Sequence, residues 1–163
     1  MKITDEFVFF YGHQDPFSNF YIHPFIHNGI KFMASEQAFM YRKACHFYCY
    51  EIAEQILKSS SQKEWKRLGR SKLIQFNEED WNSNREKIMK QVLYDKFKEE
   101  PMRSLLIMSY NKKLVETSPY DKIWGVGLSK ESNLIYNAEN WIGRNLLGIC
   151  LEEVRDYFLT QMK

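Results

Sequence analysis

The chain opens with short apolar runs and continues in longer stretches whose apolar positions recur at helical spacing, which predicts a few strands and then several helices. Phe7 to Tyr11 reads as a strand, and Gly12-His13-Gln14-Asp15-Pro16 behind it has the composition of a loop. Tyr21 to Ile26 and Ile30 to Met33 are two more runs, joined across His27-Asn28-Gly29. Asn-Gly between apolar runs predicts a hairpin. Ser35 then stands where an N-cap belongs, opening a helix from Glu36 to about Tyr48 that has the pattern to continue to Leu57.

Ser59-Ser60-Ser61 interrupts that pattern. Ser61 and Glu64 have capping-box spacing for a short helix that Gly69 would end. Asn77 caps the next helix, whose first turn holds Glu78, Glu79 and Asp80 at the positive end of the dipole and which runs to about Glu99. Pro101 suits the first turn of a further helix from Met102 to about Tyr110, and Leu114 to Glu116 reads as a short strand. The last helix starts near Asn145, with Leu147, Cys150, Leu151, Val154 and Phe158 on one face. Between them, residues 117–143 show no clear periodicity over roughly 25 residues, long enough to point to function rather than mere connection.

Composition narrows the picture. A length of 163 residues predicts one domain with a sizeable core. The balance of 23 Lys and Arg against 21 Asp and Glu excludes a protein that grips nucleic acid by bulk charge, so any such contact must be local. Aromatic residues reach 16%, more flat surface than a core this size needs, and flat surface stacks on bases and sugars. The acidic start Asp5-Glu6 and the lack of any apolar run of about 20 residues predict a cytoplasmic protein with no membrane partner. Three Cys, an odd number, give no disulfide framework, and Cys45, His46 and Cys49 lack the spacing and the second ligand pair of a zinc site. Neither a metal nor another cofactor is expected.

Several residues stand out chemically. Glu36, Met40, Lys43 and Phe47 share one helix face, with Glu36 and Lys43 about 10 Å apart. A carboxylate and an amine so placed bracket a reacting atom, the first as proton carrier, the second as clamp or nucleophile. Plain alternatives are a dipole partner and a snorkelling surface lysine. Arg85 falls on the apolar stripe of Trp81, Ile88 and Val92, four residues after Trp81; a charge there needs a carboxylate, carbonyls or an anion, and pairing with Asp or Glu is the expected solution. Trp124-Gly125-Val126-Gly127 lets backbone approach a ligand closely beside an indole, although it has no nucleotide-motif spacing. Gly143-Arg144-Asn145 precedes a helix and offers either an anion site or an ordinary turn and cap.

Five blocks in order, F-Y-G-H-Q-D-P-F-S-N-F-Y, M-A-S-E-Q-A-F-M-Y-R-K-A, D-W-N-S-N-R-E-K-I-M, L-V-E-T-S-P-Y-D-K-I-W-G-V-G-L and N-W-I-G-R-N-L-L-G, resemble the NADAR (YbiA-like) family from about Phe9 to Phe158. The resemblance implies a mainly α fold with a small β component (α+β), as one compact domain over residues 1–163. It also implies N-glycosidase chemistry, cleavage between ribose C1 and a base-like nitrogen. Two substrate groups go with the family: ADP-ribose attached to nucleobases, especially guanine, and riboflavin-pathway intermediates. Residue by residue it implies Glu36, Lys43 and Asp121 as catalytic, with Ser18, Asn19, Trp81, Arg85, Glu116, Trp124, Gly125 and Gly127 binding substrate. Asn145, at the start of the last helix, is counted with the binding residues. One departure is Gln37, where the family usually has His; contact with the leaving base there would alter substrate choice.

The implied chemistry fits the residues. Charge developing on ribose is stabilised by Glu36 or Asp121. Lys43 offers a Schiff-base route if desolvation, or a cation such as Arg42, keeps its amine partly neutral. The expected partner is ADP-ribosylated nucleic acid or a small ribosyl amine, with no obligate protein partner. Removal of ADP-ribose from guanine in DNA, reversing a toxin's modification, is the leading expectation. Hydrolysis of riboflavin intermediates and a silent ADP-ribose binder are the alternatives. The basic run Lys63, Lys66, Arg67, Arg70 and Lys72 suits a nucleic-acid backbone or, more plainly, a solvated face.

Overall fold

The computed structural model describes residues 1–162 and is of the α+β class, with strands confined to two small sheets. The chain divides into two units, residues 22–96 forming one, and residues 1–21 with 97–163 the other.

In the discontinuous unit, β1 (Lys2–Ile3) pairs antiparallel with β2 (Phe7–Phe10). β1 went unseen in the sequence because two exposed edge residues carry no period. The strand predicted near Leu114 is β5 (Lys113–Glu116), and it runs parallel to β2 with Phe7 opposite Lys113 and Phe10 opposite Glu116. All four β2 side chains are buried, as expected of a central strand covered on both faces. Phe7, Phe9, Val115, Val126 and Ile135 form one core cluster, and the Phe10, Phe17 and Phe97 rings meet in series, edge-on and then tilted, at centroid distances of 5.9 Å.

In the continuous unit, the predicted hairpin forms from β3 (Phe25–His27) and β4 (Ile30–Phe32), with Asn28 and Gly29 both at positive φ. The strand expected from Tyr21 is shorter, because Pro24 stands just before the paired residues and has no N–H to donate. α1 (Ser35–His46) starts one residue earlier than expected, and Ser35 is not its cap: Ala34 holds that place. Ser35 is buried and its Oγ accepts from Lys96 Nζ at 3.4 Å. The continuation to Leu57 is also corrected. Tyr48 turns left-handed at φ 57° and separates α1 from α2 (Tyr50–Lys58). Ser61 caps α3 (Gln62–Leu68) and Asn77 caps α4 (Glu78–Phe97), both as read from sequence. Gly69 ends α3 but in right-handed conformation; its lack of a Cβ matters for packing, since one would lie 2.1 Å from Met40 Sδ.

α5 (Met102–Ile107) stops short of the expected Tyr110, with Pro101 at its N-cap. α6 (Leu146–Thr160) buries the predicted face. The long irregular stretch contains two short 3-10 turns, Asn133–Tyr136 and Ala138–Asn140, each capped by a preceding Ser or Asn side chain. Among the described residues no helix is long and apolar enough to cross a membrane.

Burial pushes the Lys96 amine down to about 7. The folded chain therefore releases a proton near neutrality that the unfolded chain keeps until much higher pH. Stability should rise with pH above 7, by about 1 kcal/mol between pH 7 and 8. Denaturant melts of Lys96→Met are expected to lack that rise.

Candidate active site

The predicted residues fall into two groups, one in each unit. In residues 22–96, α1 carries Glu36 and Lys43, and α4 carries Trp81 and Arg85. Glu36 is buried at 8% exposure and Lys43 is partly buried. Lys43 Nζ donates to the Gly69 carbonyl at 2.8 Å and lies 4.8 Å from the Phe76 ring centroid and 6.0 Å from that of Trp81. It forms no ion pair with a carboxylate among the described residues. Burial lowers its pKa most, the Arg70 charge lowers it further, and Glu36 opposes both.

The cation that lowers the Lys43 pKa is Arg70 and not Arg42. Arg42 Nη1 donates to His27 Nε2 at 2.7 Å, the other ring nitrogen of His27 meets Asp95 at 2.6 Å, and Arg42 Nη2 donates to Gln91 at 3.0 Å. That network fixes α1 against the hairpin and α4. Removing the Arg70 charge should let the Lys43 value climb toward its ordinary range. For Arg70→Gln the expected result is an acid limb of kcat/KM displaced to higher pH.

Trp81 closes an aromatic wall with Phe39 at 5.3 Å, His46 at 5.7 Å and Phe47 at 6.1 Å. Sequence reading missed His46, whose Nε2 meets Asp80 at 2.7 Å; spacing along α1 shows the ring but not the carboxylate it finds on α4. The expected carboxylate partner for Arg85 does not appear. This side chain is 7% exposed, its Nε is buried without an acceptor, and it forms no ion pair among the described residues. The Gln37 expectation is corrected as well: its amide accepts from Met33 N–H at 2.7 Å and donates toward the carbonyls that end α2, so it is a strut between elements rather than a reader of the base.

In the other unit, Glu116 ends β5 at 6% exposure, and Ser18 and Asn19 are buried on the segment after β2. Asp121 Oδ1 accepts from the backbone N–H groups of Ile123 and Trp124 at 2.9 and 2.8 Å, building the turn that carries partly buried Trp124. Gly125 and Gly143 bring backbone close to backbone. A Cβ on Gly125 would come within 3.0 Å of the Glu116 and Asp121 carbonyls, and one on Gly143 within 2.2 Å of the Gly125 carbonyl. Asn145 is a tie: its Oδ1 accepts from Glu116 N–H at 3.0 Å and its Nδ2 donates to the Leu114 carbonyl at 2.9 Å, while its backbone turns left-handed into α6. Its side chain is spent within the fold and does not cap the helix.

Comparison with known proteins decides the family. Residues 9–159 match the NADAR domain. The chain belongs to the NADAR family. Among its relatives, Protein irg-1 of Caenorhabditis elegans is 37% identical over 177 residues, covering 98% of this chain and 83% of that protein. N-glycosidase R617 of Acanthamoeba polyphaga mimivirus is 33% identical over 165 residues, covering 94% and 96%. The NMR structure of YbiA from E. coli superposes with a TM-score of 0.79 at 28% identity, covering 99% of this chain and 89% of that one. N-glycosidase YbiA of Escherichia coli is 31% identical over 160 residues, covering 94% of this chain and 89% of that protein.

Proposed function

We propose that this chain hydrolyses an N-glycosidic bond between ribose C1 and a base nitrogen, and that its substrate is ADP-ribose attached to a nucleobase, guanine in DNA first. The observation that carries the reading is the Lys43 amine, partly buried, lowered in pKa, free of any carboxylate ion pair among the described residues and facing two aromatic rings. The names of R617 and YbiA support the bond type.

The steps balance without a cofactor. The lone pair of neutral Lys43 forms a bond to C1 as the C1–N bond breaks, and the base leaves with a proton. Opening of the sugar ring gives a C1=N imine. Water adds to that imine, restores the lysine and releases the sugar as its aldehyde in equilibrium with the ring. Glu36, on the same helix, stabilises the positive charge and carries protons. Arg85 supplies a guanidinium for the diphosphate, a better candidate than the exposed Arg144 because the residue is buried and its Nε has no acceptor.

The test incubates purified protein with oligonucleotides ADP-ribosylated on guanine or thymine and with riboflavin-pathway intermediates, with product read by mass spectrometry. Release of free ADP-ribose and an unmodified oligonucleotide is expected. Ribose phosphate released from the small intermediates alone would replace this substrate with a metabolite, and silence on all of them would favour a binding module.

A further inference from the structure

Of the 12 Phe residues, Phe76 alone is exposed, at 50%. It lies in residues 69–77, the segment between α3 and α4, and that segment is tied down. Arg70 and Ser71 N–H groups donate back to the Arg67 and Leu68 carbonyls at 3.1 and 3.0 Å, and Ile74 N–H donates to Ser71 at 3.2 Å. Ile74 is buried at 5%, and the Leu73 carbonyl accepts from the Cys49 thiol at 3.6 Å. A fixed segment that holds Phe76 and Leu73, at 50% and 59% exposure, out to solvent presents a preformed apolar surface.

That surface adjoins the reacting group. The Phe76 ring packs edge-on against Phe47 at 5.5 Å, and Lys43 Nζ lies 4.8 Å from its centroid. Arg70 and Lys72 are exposed on the segment itself, Arg67 before it is paired with Glu64 at 2.8 Å, and Glu78, Glu79 and Asp80 follow it at the start of α4. A solvent-facing aromatic ring with two exposed cations on its own segment is how a protein holds a base that carries phosphates.

We propose that Phe76 is the platform on which the leaving base stacks, and that the segment 69–77 selects planar bases borne on a phosphate chain. The proposal rests on the glycosidase reading and names the half of the substrate that Arg85 does not address. Stacking at one face adds binding without touching the bond that breaks, so its loss falls on affinity.

The experiment compares Phe76→Leu and Phe76→Trp with wild type, using a single-stranded oligonucleotide ADP-ribosylated on guanine. Kinetics are read across pH, and equilibrium binding is measured in a Lys43→Ala background. Phe76→Leu is expected to raise KM and Kd about tenfold, with kcat nearly unchanged and the pH profile in place, and Phe76→Trp to restore both. An unchanged Kd overturns the proposal. So does a fall in kcat at constant KM with a displaced acid limb, which would make Phe76 only a cover over Lys43. If the wild type binds but never cleaves, the glycosidase reading fails, and the platform still stands or falls on whether Kd depends on residue 76. Absence of all binding overturns both.

Discussion

Lys43→Ala should lose turnover by at least about 10³-fold, a larger effect than removing any single binding contact gives. The side chain sits where burial disfavours the charged amine. Burial and Arg70 push its pKa down, and the Gly69 carbonyl holds it by one hydrogen bond. Lys43→Arg separates two roles. It keeps the positive charge and loses the nucleophile, so an electrostatic clamp would survive the change while a Schiff-base route would not. Borohydride added during turnover is expected to deliver hydride to the imine carbon, leaving a stable secondary amine. Peptide mapping should place the sugar adduct on Lys43. Full turnover in Lys43→Ala would end the covalent mechanism.

Local chemistry was legible in the sequence where neighbours in the chain decide it. Asn28-Gly29 fixed the hairpin turn, Ser61 and Asn77 placed two helix starts, and the Leu147 to Phe158 face of α6 is buried as its spacing required. Errors lie where distant residues decide. Ser35 has the right chemistry for a cap but is buried against Lys96, 61 residues on. Met40, packed over Gly69, shows why that glycine is small, which its place at a helix end does not.

The candidate site divides the same way. Glu36 and Lys43 were visible as a pair because helix geometry brings them to one face. Arg70, the charge that lowers the Lys43 pKa, is 27 residues further along the chain, and Phe76 reaches the amine from a segment with no period of its own. Asn145 looked available because it preceded a helix; only the structure shows both ends of its amide spent on β5.

Arg85→Met should make the protein more stable and a poorer enzyme. The residue is 7% exposed with its Nε buried and unsatisfied, and no ion pair among the described residues offsets the cost of that burial. A Met of similar reach fills the space with an apolar chain, and the expected gain is about 1–3 kcal/mol, seen as a higher denaturant midpoint at unchanged slope. If Arg85 is kept for an anion, the same substitution should cost about 10²-fold in kcat/KM on a diphosphate substrate. Added ADP-ribose should raise the Tm of the wild type and not of the variant. A destabilised Arg85→Met that still responds to ADP-ribose would instead make Arg85 part of the scaffold. The opposite signs on stability and affinity distinguish a charge held for a ligand from one held for the fold.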